Sequence, residues 1–319
     1  MRYAFALVFF CHLTVFAADA PPTHTLVTEP DQGLAPIYNL LRSATRTIDM
    51  TMYELADPIA EQILAQAAAR HVAIRVILDR NLELHHNQPA FEYLQQNGIQ
   101  VVWAAKKYAA THQKSVVVDG RVVAIMTLNL TSRYYPTTRD FAVLDTNSAD
   151  IAAIEQVFDA DFNDGAAVTP TGVDLVWSPK QSNASLLDLI RSAHTSLEIE
   201  AEEMSDSEIV TALAAAARTG VQVKVTMTYN KTYAKNFTRL AEAGVQVNLY
   251  SPDAALYIHA KAILADYDTP GAIAFLGSEN FTDASLERNR ELGLMLADPA
   301  ILTSIHQVLA QDFAGGTAW

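Results

Sequence analysis

The sequence is poor in cysteine: Cys11 is its only one, and it lies in an apolar segment near the start of the chain. If that segment is removed during export, the mature chain has no thiol, which excludes disulfide frameworks and cysteine catalysis. Positive charge is also scarce, since 22 lysines and arginines face 36 aspartates and glutamates and leave a formal net charge of -14. This balance argues against a protein that coats nucleic acid over its whole surface, although a local basic groove remains compatible with it.

Apolar runs long enough for a comfortable membrane span, about 20 residues, are also missing from the sequence. Residues 1–20 are instead typical of a secretory signal peptide, with Arg2 as the positive start, a short apolar run at 4–16 and an A-x-A cleavage site at Ala18-Asp19-Ala20. A retained N-terminal anchor is the alternative interpretation. The sequence therefore predicts a secreted or periplasmic protein whose mature chain starts at Pro21.

The rest of the chain divides into two halves with the same succession of patterns, and 319 residues are enough for two domains of ordinary size. Helix-period and β-branched segments alternate in each half, which predicts an α/β layered fold. The predicted helices are 35–44, 58–70, 185–193 and 207–219, and the predicted strands are 47–53, 72–78, 99–103, 196–202, 221–228 and 245–250. Residues 166–183 form the predicted linker between domains at 21–165 and 184–319.

His259 and Lys261 stand two residues apart in an otherwise apolar stretch, 258–266, which predicts a buried strand. Because side chains alternate along a strand, both would point to the same face, where an anion is a suitable partner for them. Small and polar residues that would let a phosphate approach closely follow downstream: Gly277, Ser278 and Asn280.

The same constellation occurs twice. Each copy has the spacing His-x-Lys-x4-Asp, then an asparagine, then a carboxylate eleven residues after that asparagine. The first copy consists of His112, Lys114, Asp119, Asn129 and Asp140. The second copy consists of His259, Lys261, Asp266, Asn280 and Glu291. One copy alone would also fit a core strand with polar ends, whereas two copies with matching carboxylates favour a functional site.

These residues resemble the two motifs of the phospholipase D superfamily, in which each His-x-Lys-x4-Asp is followed by Gly-Ser-x-Asn. The second copy fits that pattern, with a longer gap than usual after Asp266. The first copy departs from it, because Thr127 supplies the hydroxyl and Met126 replaces the glycine, which would narrow the approach of a phosphate. The resemblance implies two α/β/α sandwich domains related by a pseudo-twofold, with the active site in the cleft between them.

The chemistry of the constellation suits a phosphodiester. A neutral imidazole can attack phosphorus, and a second, protonated imidazole can donate to the leaving oxygen. The resemblance implies that one histidine forms a covalent phosphohistidine, and the family's habit makes His112 the nucleophile and His259 the general acid and base. Four supporting roles follow from the resemblance: binding of nonbridging oxygens (Lys114, Lys261, Asn129, Asn280), orientation of the histidines (Asp140, Glu291), bracing of the motif loops (Asp119, Asp266) and substrate binding (Thr127, Gly277, Ser278).

This scheme needs no cofactor and no metal, and the nine histidines include no HExxH pattern. His85 and His86 form the one adjacent pair in the sequence. They would line the rim of the cleft or, as the simpler interpretation, lie in a solvated loop before Pro89.

The substrate remains open among several function classes. A phospholipase D that uses water to release a head group and leave phosphatidic acid is the first. A metal-independent nuclease and a phosphatidyl transferase of the cardiolipin synthase type are the alternatives. A phosphate-binding protein without activity is disfavoured, because both histidines, both lysines and both asparagines are present. One chain carries both motifs, so a monomer is expected to be sufficient.

The rim of the cleft would discriminate between lipid and nucleic acid. A basic mouth would favour a nucleic acid strand, and the candidates for it are Lys106, Lys107, Arg288 and Arg290. An aromatic rim would favour contact with a lipid surface, although the same rings can stack on bases. The candidate rings are Tyr108, Tyr134, Tyr135, Tyr250 and Tyr257. The acidic net charge favours a phospholipid substrate.

Overall fold

The computed structural model describes residues 23–166, 168 and 171–319. The strands that precede residue 166 are β1 (His24–Glu29), β2 (Thr47–Met52), β3 (Leu55–Ala56), β4 (Ala73–Leu78), β5 (Gln100–Trp103), β6 (Ser115–Val118), β7 (Val122–Met126), β8 (Leu130–Thr131) and β9 (Thr138–Asp145). The helices of this first half are α1 (Ala35–Ser43), α2 (Pro58–Ala69), α3 (Leu84–Gln96) and α4 (Ser148–Phe162).

The second half continues the same alternation. Its strands are β10 (Leu175–Ser178), β11 (Ser196–Ala201), β12 (Gln222–Thr228), β13 (Gln246–Tyr250), β14 (Tyr257–Ile258), β15 (Lys261–Ala265), β16 (Ile273–Gly277), β17 (Glu291–Leu296) and β18 (Thr317–Ala318). Its helices are α5 (Ser182–Ser192), α6 (Ser207–Arg218), α7 (Ala234–Glu242), α8 (Asp283–Glu287) and α9 (Pro299–Gly315), with a 3-10 turn at Lys231–Tyr233.

Two large mixed sheets form the frame of this α/β fold, and their strands follow the same order. The first sheet runs β1-β9-β7-β6-β2-β4-β5, and the second runs β10-β17-β16-β15-β11-β12-β13-β18. In both, parallel pairs lie at the end formed by the strand–helix–strand units, β2-β4-β5 and β11-β12-β13, and the other pairs along these two orders are antiparallel. The strands predicted from β-branched runs at 47–53, 72–78, 196–202 and 221–228 are all present within a residue at each end.

Both faces of each sheet are buried, and alternate residues of one strand enter different cores. In β6, Val116 and Val118 pack with α1, α2 and α3, whereas Val117 belongs to a core shared by both sheets. Leu264 of β15 and Leu302 of α9 lie in that shared core as well. Burial on both faces explains why the motif strands read as continuous apolar runs.

The shared core and several polar contacts join the two halves. The short strand β14 pairs in parallel with β9 of the other half, through Tyr257 opposite Thr138. Arg139 is buried and pairs with Asp312 of α9, with 2.5 Å between its Nε and Oδ2. Such an interface fixes the relative position of residues that the two halves contribute to one site.

Three sequence predictions differ from the structure. The motif strands begin at Ser115 and Lys261, so the two histidines precede their strands instead of lying within them. His85 and His86 lie in α3 and not in a loop. The predicted linker 166–183 contains β10 and the first residues of α5, because β10 pairs with β17 and completes the second sheet.

The predicted signal peptide, 1–20, lies outside the described residues. Within the described residues, none of the helices combines the length and the apolar character that crossing a membrane requires.

Candidate active site

The backbone at each histidine is attached to the other half of the molecule. The His112 amide donates to the carbonyl of Arg290 at 2.9 Å, and the His259 amide donates to the carbonyl of Arg139 at 3.2 Å. The loop before each histidine is held from its own half. Buried Asp79 accepts from the amide of the residue before His112 at 2.7 Å. Thr228 Oγ1 accepts at 2.9 Å from the amide of the residue before His259. The two motif loops are therefore clamped between the sheets.

The carboxylate that follows each of those arginines holds the ring of the opposite histidine. His112 Nδ1 lies 2.8 Å from Glu291 Oε2, and His259 Nδ1 lies 2.7 Å from Asp140 Oδ1. Each pair therefore joins a histidine of one half to a carboxylate of the other. A carboxylate at Nδ1 fixes that nitrogen as the donor and leaves Nε2 for chemistry.

The hydroxyls that the motif pattern assigned to substrate instead hold these carboxylates. Thr127 Oγ1 donates to Asp140 Oδ1 at 2.6 Å, and Ser278 Oγ donates to Glu291 Oε2 at 2.7 Å. Both hydroxyls also accept a backbone amide, from Phe141 at 2.9 Å and from Leu292 at 3.1 Å. Both side chains are buried and engaged, so they position the two carboxylates, and the binding of substrate by Thr127 and Ser278 stays a prediction.

The glycine of the motif is explained by packing between strands. A Cβ atom on Gly277 would lie 2.6 Å from the Cα of Gly293 in the neighbouring strand and 2.8 Å from the ring of Phe275. Gly277 is thus required by the close approach of β16 and β17, which corrects its assignment to substrate binding. Met126 at the corresponding place in β7 is buried in the core beneath α1–α3, so it does not narrow the cleft.

Asn129 and Asn280 lie beside the two histidines and line one cavity with them. Among the described residues, the buried side-chain oxygen of each finds no hydrogen-bond partner. Nearly all buried polar atoms in proteins are paired, so these two amides are poised for a group that enters the cavity. The NH2 group of each amide can donate to a nonbridging phosphate oxygen, and its oxygen can accept from water or from a hydroxyl group of a substrate.

The two lysines form the floor beneath the histidines and are almost completely buried. Lys114 and Lys261 retain 1% and 0% of their surface. Each ammonium group donates to the carbonyl of the histidine two residues before it, at 2.5 Å in both cases. The ammonium groups are thus held beside the two motif histidines, where positive charge can stabilise negative charge on phosphorus.

The similarity of the two halves breaks at the residues that face these ammonium groups. Lys261 Nζ lies 2.9 Å from the carboxylate of Glu202, directly after β11. Lys114 Nζ instead lies 4.8 Å from the ring centre of Tyr53, directly after β2. Glu202 Oε2 also lies 3.5 Å from Nε2 of His259. The sequence analysis missed Glu202 and Tyr53, although a polar residue at the carboxyl end of a parallel strand is a usual place for a functional group.

Burial and neighbouring charges shift the pKa values of the titrating groups in the site. Burial lowers the pKa of His112 below its usual range, and it lowers the pKa of Lys114 to about 7. Burial works to raise the pKa of Glu291, but the His112 charge and hydrogen bond outweigh it and hold that pKa below the ordinary value. The His259 charge and hydrogen bond lower the pKa of Asp140 against burial in the same way. The directions of these shifts favour the ionised form of both carboxylates and the neutral form of His112.

The cavity above this floor has a volume of about 740 Å³ and lies between the two halves. Its wall carries four tyrosines, four carboxylates and the two histidines. The tyrosines are Tyr53, Tyr134, Tyr135 and Tyr257, and the carboxylates are Glu54, Asp140, Glu202 and Glu203. Within the described part of the chain, no lysine or arginine lines it. The wall is therefore aromatic and acidic instead of basic.

Three of the four basic residues proposed for the cleft mouth are paired with acidic residues. Arg290 is buried, with its Nε 2.8 Å from Asp161 and its guanidinium over the ring of Tyr108. Lys107 Nζ lies 3.3 Å from the same aspartate, and Arg288 pairs with Asp283. Two of the five rim tyrosines also lie away from the cavity, since Tyr108 packs on Arg290 and the hydroxyl of Tyr250 donates to the backbone of Asp312.

The last aspartate of each motif stabilises the start of a strand. Asp119 accepts from three consecutive backbone amides, those of Thr45, Arg46 and Thr47, at 3.0, 2.7 and 2.9 Å. Asp266 accepts in the same way from residues 194–196, the shortest distance being 2.6 Å. Neither residue lines the cavity, so both hold the framework behind the motif strands.

One group of potential metal ligands lies at the edge of the cavity. Glu54, Glu83 and His86 place one ligand atom each within 4.8 Å of one another. Glu54 is already paired with Arg133 at 3.2 Å, and His86 Nδ1 lies 2.5 Å from Glu83. These pairings account for all three side chains without an ion.

Comparison with known proteins identifies the family to which this arrangement belongs. The family model described as "Cardiolipin synthase, PLD-like domain" matches the chain twice, at residues 37–162 and 186–314. The chain belongs to this phospholipase D-like family. Members of this family act on phosphodiesters. In this chain, each of the two matched segments contains one motif histidine. Each also contains one carboxylate, which contacts the histidine of the other segment.

Curated relatives in this family are matched over part of the chain. A probable cardiolipin synthase of Bacillus subtilis, YwiE, is 26% identical over 140 residues, which are 42% of this chain and 28% of that protein. A mitochondrial cardiolipin hydrolase of Chlamydomonas reinhardtii is 24% identical over 136 residues, 43% of this chain and 60% of that protein. The matched segments thus cover less than two thirds of either relative.

Solved structures share the fold over most of the chain. A phosphatidylserine synthase of Haemophilus influenzae Rd KW20 has a TM-score of 0.68 and 15% identity and covers 90% of this chain and 86% of its own. A polyphosphate kinase of Porphyromonas gingivalis has a TM-score of 0.71 and 15% identity and covers 90% of this chain and 46% of its own. At this identity the likeness is one of fold.

Proposed function

We propose that this protein is a phosphodiesterase of the phospholipase D type, which hydrolyses the head-group phosphodiester of a phospholipid and leaves phosphatidic acid. The observation that carries this proposal is the wall of the cavity. Four tyrosines and four carboxylates surround the histidine pair, and no lysine or arginine is among the described lining residues. A nucleic acid strand presents further phosphates on both sides of the scissile one and needs cations along its path. A phospholipid has a single phosphodiester with an apolar diacylglycerol arm, so it needs no such row of cations.

The first chemical step in this proposal is attack by His112. Its Nδ1 donates to Glu291 at 2.8 Å, so the Nε2 lone pair is available to phosphorus. A bond forms between Nε2 and phosphorus while the bond between phosphorus and the head-group oxygen breaks. His259 gives its Nε2 proton to that oxygen, and the head-group alcohol leaves. Lys114 and Lys261 stabilise the charge on the nonbridging oxygens from below.

The second step releases the phosphatidyl group from His112. His259, now neutral at Nε2, takes a proton from water while the water oxygen bonds to phosphorus. The bond between Nε2 and phosphorus breaks, its electron pair returns to the His112 ring, and phosphatidic acid leaves. If a lipid alcohol takes the place of water, the same step is phosphatidyl transfer. The cardiolipin synthase named among the relatives supports this transferase alternative, and the cardiolipin hydrolase supports hydrolysis.

A side-by-side assay of the protein from Pro21 onward tests the proposal. One arm contains phosphatidylcholine, phosphatidylethanolamine or phosphatidylglycerol vesicles with and without a primary alcohol, and the other contains single- and double-stranded DNA, all in EDTA. Formation of phosphatidic acid, and of phosphatidyl-alcohol when alcohol is present, is the expected result. Cleavage of DNA with inert vesicles would overturn the lipid assignment, and turnover restored only by added metal would overturn the metal-free scheme. The His259→Ala and His112→Ala variants are the inactive controls.

We also infer that the protein works outside the cytoplasm, as a monomer, and at a membrane surface. The support is the signal-peptide pattern of residues 1–20, the presence of both motifs in one chain and the exposed tyrosines Tyr134 and Tyr257 at the cavity. Fractionation of producing cells, with determination of the mature N-terminus, tests the location. A full-length chain in the cytoplasmic fraction would refute it.

A further inference from the structure

A second pocket opens beside the catalytic cavity, on the side of His259. Its volume is about 390 Å³, and it shares Glu202, Glu203, Pro252 and Tyr257 with the larger cavity. The two cavities are therefore neighbours that meet at these four residues.

The lining of the side pocket has the chemistry of a cation site. Three tyrosines, Tyr229, Tyr233 and Tyr257, stand around the two carboxylates Glu202 and Glu203. Aromatic rings attract ammonium groups through their faces, and carboxylates attract them by charge and by hydrogen bonds. Tyrosine can contribute in both ways, because its ring carries a polar hydroxyl at the edge.

The charge balance of the pocket favours a cationic guest. Lys231 is the one cation among its described lining residues, and it is exposed at the rim. Glu202 is engaged by Lys261 at 2.9 Å, but Glu203 forms no salt bridge within the described part of the chain. A half-buried carboxylate without a cationic partner carries an uncompensated cost that an ammonium group would offset.

The first half differs at the two acidic positions of this pocket. Tyr53 stands at the position of Glu202, and Glu54 stands at the position of Glu203. Arg133 already neutralises Glu54 at 3.2 Å. Within the described residues, Glu203 therefore lacks the cationic partner that Glu54 has.

The side pocket lies where the leaving group departs. Glu202 Oε2 is 3.5 Å from His259 Nε2, the atom that protonates the leaving oxygen in the proposed reaction. The alcohol released in the first step therefore starts beside Glu202. An ammonium group two carbons from that oxygen would reach the tyrosines and Glu203.

We propose that the pocket formed by Glu202, Glu203, Tyr229, Tyr233 and Tyr257 binds the ammonium group of the leaving alcohol, so that the enzyme selects amino-alcohol head groups. This inference rests on the proposed function and specifies its substrate. It excludes as preferred substrates those whose leaving group is neutral, such as phosphatidylglycerol, or anionic, such as a nucleotide strand. Ethanolamine and choline head groups share the required charge. Hydrogen bonds to Glu203 would favour ethanolamine, and the ring faces would favour choline.

Soluble short-chain phospholipids test the selectivity without the complication of a vesicle surface. The ratio of kcat/KM for phosphatidylethanolamine or phosphatidylcholine to that for phosphatidylglycerol is measured from the phosphatidic acid formed. We expect a ratio of about ten or more, which is the scale of one cation–π contact or one partly buried ion pair. Glu203→Gln and Tyr229→Leu should each lower this ratio severalfold, and Lys231→Met should raise it. Glu242→Gln, which removes an exposed carboxylate at the end of α7, is the matched control and should leave it unchanged.

The outcomes separate this inference from the function on which it rests. Equal turnover of the three lipids, or a ratio that Glu203→Gln leaves unchanged, would refute the cation pocket while the phospholipase activity stands. No turnover of any lipid would overturn the proposed function. In that case binding of free choline and ethanolamine is measured by calorimetry. Binding that Glu203→Gln weakens and Glu242→Gln does not would support the pocket, and no binding would refute it.

Discussion

Replacing Glu291 by glutamine tests how the crossed pairs assign roles to the histidines. The carboxylate accepts from His112 at 2.8 Å and from Ser278, Ser285 and Asn289 at 2.7, 2.6 and 3.0 Å. A glutamine keeps the shape but presents an amide nitrogen on one side. Facing His112, that nitrogen would require a lone pair at Nδ1 and would move the ring proton to Nε2. Facing Asn289, it would oppose a donor with a donor.

A proton on Nε2 removes the lone pair that attacks phosphorus, so the first chemical step should fail. The expected loss in kcat is about 100- to 10,000-fold, or roughly 3 to 5 kcal/mol of transition-state stabilisation. Asp140→Asn changes the residue that lies 2.7 Å from Nδ1 of His259, and so disturbs that ring in the same way. Because His259 is the proposed acid, this variant should impair proton transfer to the leaving group. The two variants should therefore differ in the rate of the first chemical step when the leaving group needs no proton.

The assay is a burst experiment with a phosphodiester that carries a p-nitrophenyl leaving group. Because p-nitrophenolate leaves without protonation, Asp140→Asn should keep a burst of p-nitrophenol and then stall at the phosphoenzyme. Glu291→Gln should show no burst. Ser278→Ala, which keeps the carboxylate and removes one donor, should lose far less activity than Glu291→Gln. A burst in Glu291→Gln but not in Asp140→Asn would make His259 the nucleophile, and near-normal activity in both variants would refute the role of the carboxylates.

Two further predictions concern pH. Burial lowers the pKa of His112, and attack needs its neutral form, so activity should be lost only as the pH falls through a value below about 6.5. The Lys114 ammonium group has a pKa of about 7, so its loss of charge should lower activity as the pH rises through neutrality. Lys114→Arg should abolish this alkaline limb, because arginine keeps its charge. A pH–kcat/KM profile checks both limbs, and an unchanged alkaline limb in Lys114→Arg would exclude this lysine. The pKa of Asp119 is held at about 2, below its value in the unfolded chain, so its stabilisation is present above about pH 4 and is lost as the pH falls toward about 2. Asp119→Asn should therefore lower the free energy of unfolding by about 1 to 2 kcal/mol at neutral pH in urea titrations, with a smaller effect in acid, whereas exposed Asp188→Asn should have none.

The periodic and repeated features of the sequence were sufficient to predict the α/β fold and the positions of its main strands. Apolar runs gave the strands at 47–53 and 196–202 to within a residue, because a strand buried on both faces leaves an unambiguous signal. The spacing of the two motifs also indicated the residues that meet in the cleft. His112 and His259 lie in one cavity with Asn129 and Asn280.

The roles of the supporting residues were not readable from the motif. Thr127 and Ser278 look like phosphate-binding hydroxyls in sequence, but each bonds a carboxylate 13 residues further along the chain. Gly277 is explained by a strand neighbour, Gly293, and not by a ligand. Such partners depend on the register between strands, which local sequence does not specify.

The most important feature outside the motifs is the pair Tyr53 and Glu202. Two halves with the same strand order supply two similar histidines, so the motifs alone do not distinguish nucleophile from acid. The residues after β2 and β11 differ between the halves. His112 faces one carboxylate, whereas His259 has Asp140 at Nδ1 and Glu202 3.5 Å from Nε2. The same glutamate borders the side pocket, so in our proposal one difference between the halves connects the acid with the leaving group that it protonates.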